Sequence, residues 1–310
     1  MKKILVYAIV VMVIIGFRER ELAVETQAVV SNEDLWTAVE QYITEFEMTP
    51  AEPRLDPVWH FVPGLYGVEF DFTMSYQNML TNGYFDASLM VGNSVAYEGC
   101  SSEFRQHRIY RGHEQSPYVA LLINVAWGGP ELMQMLDILE EYSVFASVFF
   151  EGKYADKNPE LVQNVWQRGH LIGNHSYSHP ANWLNLSYDG FSEEIRLTND
   201  VLRIITGEEM IFFAPPGGAF NEDTIQAAYN QGMYTILWSA DSIDWRGEPA
   251  NVLVNRVMRR ITPGGLILTH PKPETVIALP QIITQIREQG LEFRRIDEIV
   301  SGTRSDYFSQ

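Results

Sequence analysis

The chain has 310 residues, 46% hydrophobic and 20% charged, enough apolar material for one large α/β barrel or two ordinary domains. Its formal net charge of −18, with five lysines among 22 cations, denies the folded part the positive field that nucleic-acid or anionic-membrane binding needs. Cys100 is the only cysteine, which excludes an intrachain disulfide and any cysteine-built metal site; it is expected to be a packed small hydrophobe.

The N-terminus reads MKK, then the uncharged run Ile4 to Phe17, then RERE. A short basic region followed by a short apolar core describes a secretory signal or signal anchor over residues 1–17. The run is brief for a spanning helix, which needs roughly 20 apolar residues. Export is the expectation, with membrane anchoring through this segment as one form of it.

Residues 18–117 form an extension and connector. SNEDLWTAVEQYITEF predicts an amphipathic helix with Ser31 or Asp34 as cap and Leu35, Val39, Tyr42, Ile43 and Phe46 on one face. Pro50, Pro53, Pro57 and Pro63 interrupt regular structure after it. Short aromatic pieces over 68–110 give no assignable pattern.

From Tyr118 to about residue 302 apolar runs alternate with helical periods. VALLINV precedes ELMQMLDILEEY, VFASVFF precedes PELVQNVWQRG, and HLIGNH precedes FSEEIRLTNDVLRIITG. MIFFA, YTILWSA, GLILTH and LEFRRI continue the series, each followed by a helical stretch. Asn158-Pro159-Glu160 is a helix start, and Gly169, Gly232 and Gly290 stand where helices should end. Strand-then-helix repetition implies parallel strands with helical crossovers. No phosphate-binding glycine fingerprint follows the first strand, so a closed or nearly closed barrel is expected rather than a dinucleotide-binding sheet.

In such barrels chemistry collects where strands end. The third strand ends in GNHSYSHP, with His175 and His179 four apart; one helical turn would put both imidazoles on one side, where they can share a metal. The fourth ends in FFAPPGG, the fifth in SADSIDW with Asp241, Asp244 and Trp245, and the sixth in LILTHP with His270. Each has a plain alternative as a turn, cap or packed residue. Together, a histidine pair, a carboxylate able to orient an imidazole and a further histidine make a hydrolase-type constellation.

This stretch resembles the NodB-homology domain of polysaccharide deacetylases, carbohydrate esterase family 4. The resemblance implies an α/β fold, a deformed (β/α)7-type barrel, that removes acetyl groups from chitin, xylan or peptidoglycan. His175-Ser-Tyr-Ser-His179 matches the motif that supplies two ligands to a divalent, zinc-type metal. Asp241-Ser-Ile-Asp244-Trp245 matches a motif in which Asp241 would orient and tune the catalytic histidine. Leu268-Thr-His270 matches the motif of the general acid, His270. Trp127, Pro215, Trp245 and Leu268 are the expected glycan-contacting positions.

Two motifs depart from the family. Where Thr-Phe-Asp-Asp-Gly is usual, the chain has Asn124-Val-Ala126-Trp127-Gly128, so the base and one metal ligand are replaced. Where Arg-Pro-Pro-Tyr-Gly is usual, it has Ala214-Pro215-Pro216-Gly217-Gly218. INVAWG and FAPP resemble the YlxY-type, sporulation-associated subgroup. The losses are mutually consistent, because a buried charge stripped of its partner costs roughly 3–5 kcal/mol. Losing a general base alone typically costs about 10²–10⁴ in rate. The expectation is therefore a family member that binds N-acetylated glycans, peptidoglycan or chitin-like, with deacetylase activity weak or lost and any metal weakly held. The alternatives are an active deacetylase with Asn124, Asp189 or Asp244 swung inward, and a structural partner in an envelope complex.

Overall fold

The computed structural model describes residues 31–97 and 105–301; the apolar N-terminal run and Cys100 lie outside them. Helix α1 (Asn32–Phe46) starts at Ser31, whose hydroxyl accepts from the Asp34 N–H while Asp34 reaches back to the Ser31 N–H. Strands β1 (Arg54–Asp56), β2 (His60–Val62) and β3 (Gly67–Phe70) follow, then α2 (Phe72–Asn82), β4 (Gly92–Val95) and β5 (Arg108–Ile109). Leu35, Val39 and Met79 give α1 and α2 a small core of their own, and β3 pairs antiparallel with β4. The aromatic pieces over 68–110 thus hold β3, α2, β4 and β5, of which the strands, two to four residues long, are too short to display a period.

The regular series follows. It comprises β6 (Tyr118–Val125), α3 (Gly129–Glu141), β7 (Ser147–Phe150), α4 (Gly152–Lys157), α5 (Pro159–Gln167), β8 (Leu171–Asn174), α6 (Tyr188–Thr206) and β9 (Phe212–Phe213). It continues with α7 (Glu222–Asn230), β10 (Tyr234–Ile236), β11 (Ala240–Asp241), α8 (Ala250–Met258), β12 (Leu266–Thr269), α9 (Pro273–Glu288), β13 (Glu292–Phe293) and α10 (Ile296–Ser301).

Parallel ladders give the order β10-β9-β8-β7-β6-β12-β11, with β13 against the start of β6. Laid flat, β10 and β11 would stand about 29 Å apart, six strand spacings. Only Leu237, Trp238 and Ser239 separate them, and that link reaches about 14 Å at most. The array must therefore curl until its two margins meet, which is the deformed barrel. The run YTILWSA, expected as one strand, switches partner from β9 and β5 to β12 midway.

Both faces of β6 are buried, which explains its unbroken apolar run. Val119, Leu121, Ile123 and Val125 join the layer of helices, whereas Ala120 and Leu122 face inward with Phe149, Phe212 and Ile236. Ile296 and Ile299 of α10 belong to the inner cluster. The segment before Tyr118 is joined to the barrel, because β5 pairs with β10 and carries β2 and β1 beyond it.

Candidate active site

The C-terminal ends of β8, β9, β11, β12 and β6 bring the sequence-predicted residues together. His175 follows β8 and is buried, 3% exposed. Its Nδ1 lies 2.7 Å from the Ala214 carbonyl oxygen, which can only accept, so Nδ1 carries the proton and Nε2 keeps its lone pair. Burial, then repulsion from a charged His179, holds the His175 pKa down at about 3, so the ring is neutral at ordinary pH. His179 is shifted downward too, first by burial, then by His270. The two rings have centroids 5.0 Å apart.

The segment that carries the pair is not a helical turn. Ser176 and His179 have positive φ, 63° and 43°, and it is this left-handed turn that sets the two rings side by side. Glu194 of α6 holds it, accepting from the Tyr177 and Ser178 N–H groups and from the Ser178 hydroxyl. Asn174 accepts from the Ser176 N–H. Glu194 carries no signal in the sequence, because its partners lie 16 and 17 residues away and two of the three are backbone groups.

His270, after β12, is held by Asp244. Its Nδ1 donates to Oδ1 at 2.7 Å and its backbone N–H to Oδ2 at 2.6 Å, while the Thr275 hydroxyl donates to Oδ2 at 2.7 Å. This corrects the assignment of Asp241 as the orienting carboxylate. Asp241 accepts from the Ile243 N–H at 2.8 Å and the Trp238 indole N–H at 3.2 Å, the work of a turn residue. Ile243, at φ 55°, reverses the chain between the two acids, and Asp244 is wholly buried.

The β6 end is where the indole stands. Trp127 is 41% exposed and lies nearly parallel to the His270 ring, interplanar angle 7° and centroid distance 5.9 Å. Gly128 at φ 78° makes this possible, since a Cβ there would sit 2.5 Å from the Pro271 carbonyl oxygen. Beneath the loop, Asn124 is buried and its Oδ1 has no hydrogen-bond partner. Trp245 is 52% exposed, whereas Pro215 and Leu268 are buried below the rim and present no open surface. Trp183 is packed on Phe191 and Phe213 and belongs to the core.

Comparison with known proteins agrees with this fold. A polysaccharide deacetylase family profile matches residues 112–236. An uncharacterized protein of Bacillus subtilis, YlxY, is 35% identical over 274 residues, 88% of this chain and 86% of its own. A peptidoglycan-N-acetylglucosamine deacetylase of Bacillus cereus is 30% identical over 253 residues, covering 75% of this chain and 92% of that protein. The chain belongs to the polysaccharide deacetylase family, carbohydrate esterase family 4. Among solved structures, a pseudoenzyme of this family from Bacillus anthracis gives a TM-score of 0.81 at 34% identity, covering 87% of this chain and 96% of that one. A mutant of that pseudoenzyme with restored enzymatic activity gives 0.80 at 32% identity, over 87% and 99%.

Deacetylases of this family are generally metal-dependent, and the described residues of this chain do not complete such a site. The donor set is two neutral imidazoles, with Ala126 and Trp127 where the resemblance places the carboxylates. Among the described residues no group of three His, Cys, Asp or Glu side chains is arranged to hold a metal ion. Asp244, the buried carboxylate on His270, is committed to three donors, and Asp189 is an exposed residue in the first turn of α6.

Proposed function

We propose that this polysaccharide deacetylase-family protein binds N-acetylated cell-wall glycan at the barrel rim, with deacetylase activity weak or lost. The observation that carries the reading is Trp127 lying flat against His270. In the family pattern that loop supplies the base and a metal ligand; here it supplies an aromatic surface against the remaining acid.

Hydrolysis of an acetamide needs a polarised water, a group to take its proton and an acid for the departing amine. Among the described residues only the last has a candidate in place, His270. His270, with Nδ1 tied to Asp244, keeps Nε2 for a proton, which is the arrangement of an oriented acid or base. With two imidazoles and no anionic ligand, a zinc-type ion would bind weakly. What remains is a half-exposed Trp127, an exposed Trp245 and oriented polar groups, a set suited to holding a sugar ring. The relatives that deacetylate peptidoglycan N-acetylglucosamine make an N-acetylated glycan the class of ligand.

The apolar run at Ile4–Phe17, outside the described residues, supports a reading in which the protein is exported, secreted or anchored by that segment. Among the described residues no helix is long and apolar enough to cross a membrane.

Calorimetric titration with N-acetylated oligosaccharides and solubilised peptidoglycan tests the reading. Saturable binding that weakens in Trp127→Ala is expected. No binding to any glycan by the folded protein would overturn it in favour of a structural role.

A further inference from the structure

A cleft of about 600 Å³ lies at the end of the barrel opposite the histidine pair. Three separate stretches line it: the turn from α5 into β8, the link from α6 to β9, and the residues around the start of α10. The chemistry at the rim uses none of them.

His170 belongs to the wall of this cleft and is only 4% exposed. Its Nδ1 accepts from the Ala146 N–H at 3.0 Å, so the proton of the neutral ring sits on Nε2. No described residue accepts from that Nε2–H. Nor is the nitrogen sealed from solvent without a partner, as Asn124 Oδ1 is, so the donor opens on the cleft. A buried imidazole thus presents one fixed donor that the protein leaves unused.

Around this donor the charge is negative. Glu208, Glu209 and Asp297 line the cleft against one cation, Arg295. That guanidinium is committed, donating to both Asp297 oxygens at 2.8 and 3.2 Å and to the Gly169 carbonyl. Burial pulls the Arg295 pKa down, and Asp297, then Glu298 and Glu208, raise it above its ordinary value. Glu208 acts there at a distance, since its own carboxylate makes no hydrogen bond or close ion pair among the described residues. Glu209 has Arg203 at 3.8 Å, which is already bonded to Asp200. Arg168, the other cation near His170, is held by Asp137 and Glu140. The apolar wall is a partly buried Trp166 and an exposed Ile211.

On a flat surface solvent would satisfy such acids, and a water would satisfy the N–H. Here two acids, an indole and a fixed donor converge on one concave space, in a chain whose net charge of −18 attracts cations. An anion is repelled, and a neutral apolar molecule leaves the acids and the donor unused. We propose that this cleft binds an organic cation, an ammonium or guanidinium on an apolar stem that also carries a hydroxyl or amide oxygen. The charge goes to Glu208 and Glu209, the stem lies along Trp166 and Ile211, and the oxygen accepts from His170 Nε2–H. The site is separate from the rim, so it stands or falls without the glycan reading.

The test is a nitrogen-15 NMR titration of the full chain with three probes. These are Nα-acetyl-lysinamide, its neutral analogue Nα-acetyl-norleucinamide, and pentylamine, which has the charge and stem without the oxygens. The lysine derivative should shift the backbone amides of Gly169, Glu208 and Glu209 and the His170 ring N–H saturably, leaving those of Trp127 and His270 in place. The norleucine derivative should bind about three- to tenfold more weakly, and pentylamine about two- to tenfold more weakly. In Glu208→Gln/Glu209→Gln, a substitution of two exposed side chains, the lysine derivative should lose its advantage over the norleucine derivative. Equal affinity for the charged and neutral derivatives, or an advantage that survives the double substitution, overturns the inference. Pentylamine binding as tightly as the lysine derivative overturns the part given to His170. Shifts confined to the rim, or no saturable shift with any probe, overturn the site itself.

Discussion

Asp244 grips His270 at two points, one on the ring and one on the backbone, and the same carboxylate takes a third hydrogen bond from Thr275. The acid is wholly buried, so removing it leaves three donors without their acceptor. Asp244→Ala should cost about 2–4 kcal/mol in urea unfolding. Asp241→Ala, which frees only a turn N–H and an indole N–H, should cost about 1 kcal/mol. Equal losses would refute the assignment of Asp244 as the holder of His270.

Gly128 sets the approach of the Trp127 loop to Pro271. Gly128→Ala places a Cβ against the Pro271 carbonyl oxygen at a φ that other residues avoid, for a penalty of about 1–3 kcal/mol. The variant should unfold at lower urea and lose glycan affinity with it. A variant as stable as the wild type would mean that the loop does not require its left-handed turn.

His170, at the opposite end of β8 from His175, gives a pH dependence. Its Nδ1 accepts from the Ala146 N–H, and burial, then the charges of Arg168 and Arg295, lowers its pKa to about 4. The unfolded chain takes up this proton near the ordinary value of 6.5, the folded chain only near 4. Stability from this group is complete above pH 6.5 and falls as the pH drops toward 4, by on the order of 2–3 kcal/mol. His170→Gln should flatten the stability profile across that window. An unchanged slope would show that His170 is not the group responsible.

Reinstalling the missing groups should recover chemistry. The triple variant Ala126→Asp, Trp127→Asp, Ala214→Arg restores the carboxylate pair and the arginine of the family pattern beside an intact His175, His179 and His270. It should bind zinc stoichiometrically and release acetate from N-acetylated oligosaccharides. A folded triple variant that binds zinc and releases no acetate would mean that more than these groups has been lost.

Most of the barrel was legible because its strands are buried on both faces and its helices carry strong periods. The array from β6 to α9 therefore follows the expected order. The partner switch between β10 and β11 was not legible, because nothing in YTILWSA marks which neighbour each end will meet. Strands β1, β2 and β5 were hidden for a related reason: they are two or three residues long and are added one after another outward from β10, to which only β5 is paired directly. His175, His179 and His270 stood out by chemistry and by their places at strand ends. The pair Asp241 and Asp244 did not resolve itself, since the positive φ of Ile243 is what turns the second acid beneath His270. Local sequence shows two carboxylates three apart and no choice between them.

The account's central claim is that the site holds glycan without ordinary deacetylation. Its most direct test is acetate release by the wild-type protein, folded and saturated with N-acetylated peptidoglycan oligosaccharide, in the presence of excess zinc. The account predicts acetate at no more than a trace of that released by an active family member under the same conditions, unchanged by His175→Ala. Sustained turnover, with one zinc bound per chain and activity abolished by His175→Ala, would contradict it.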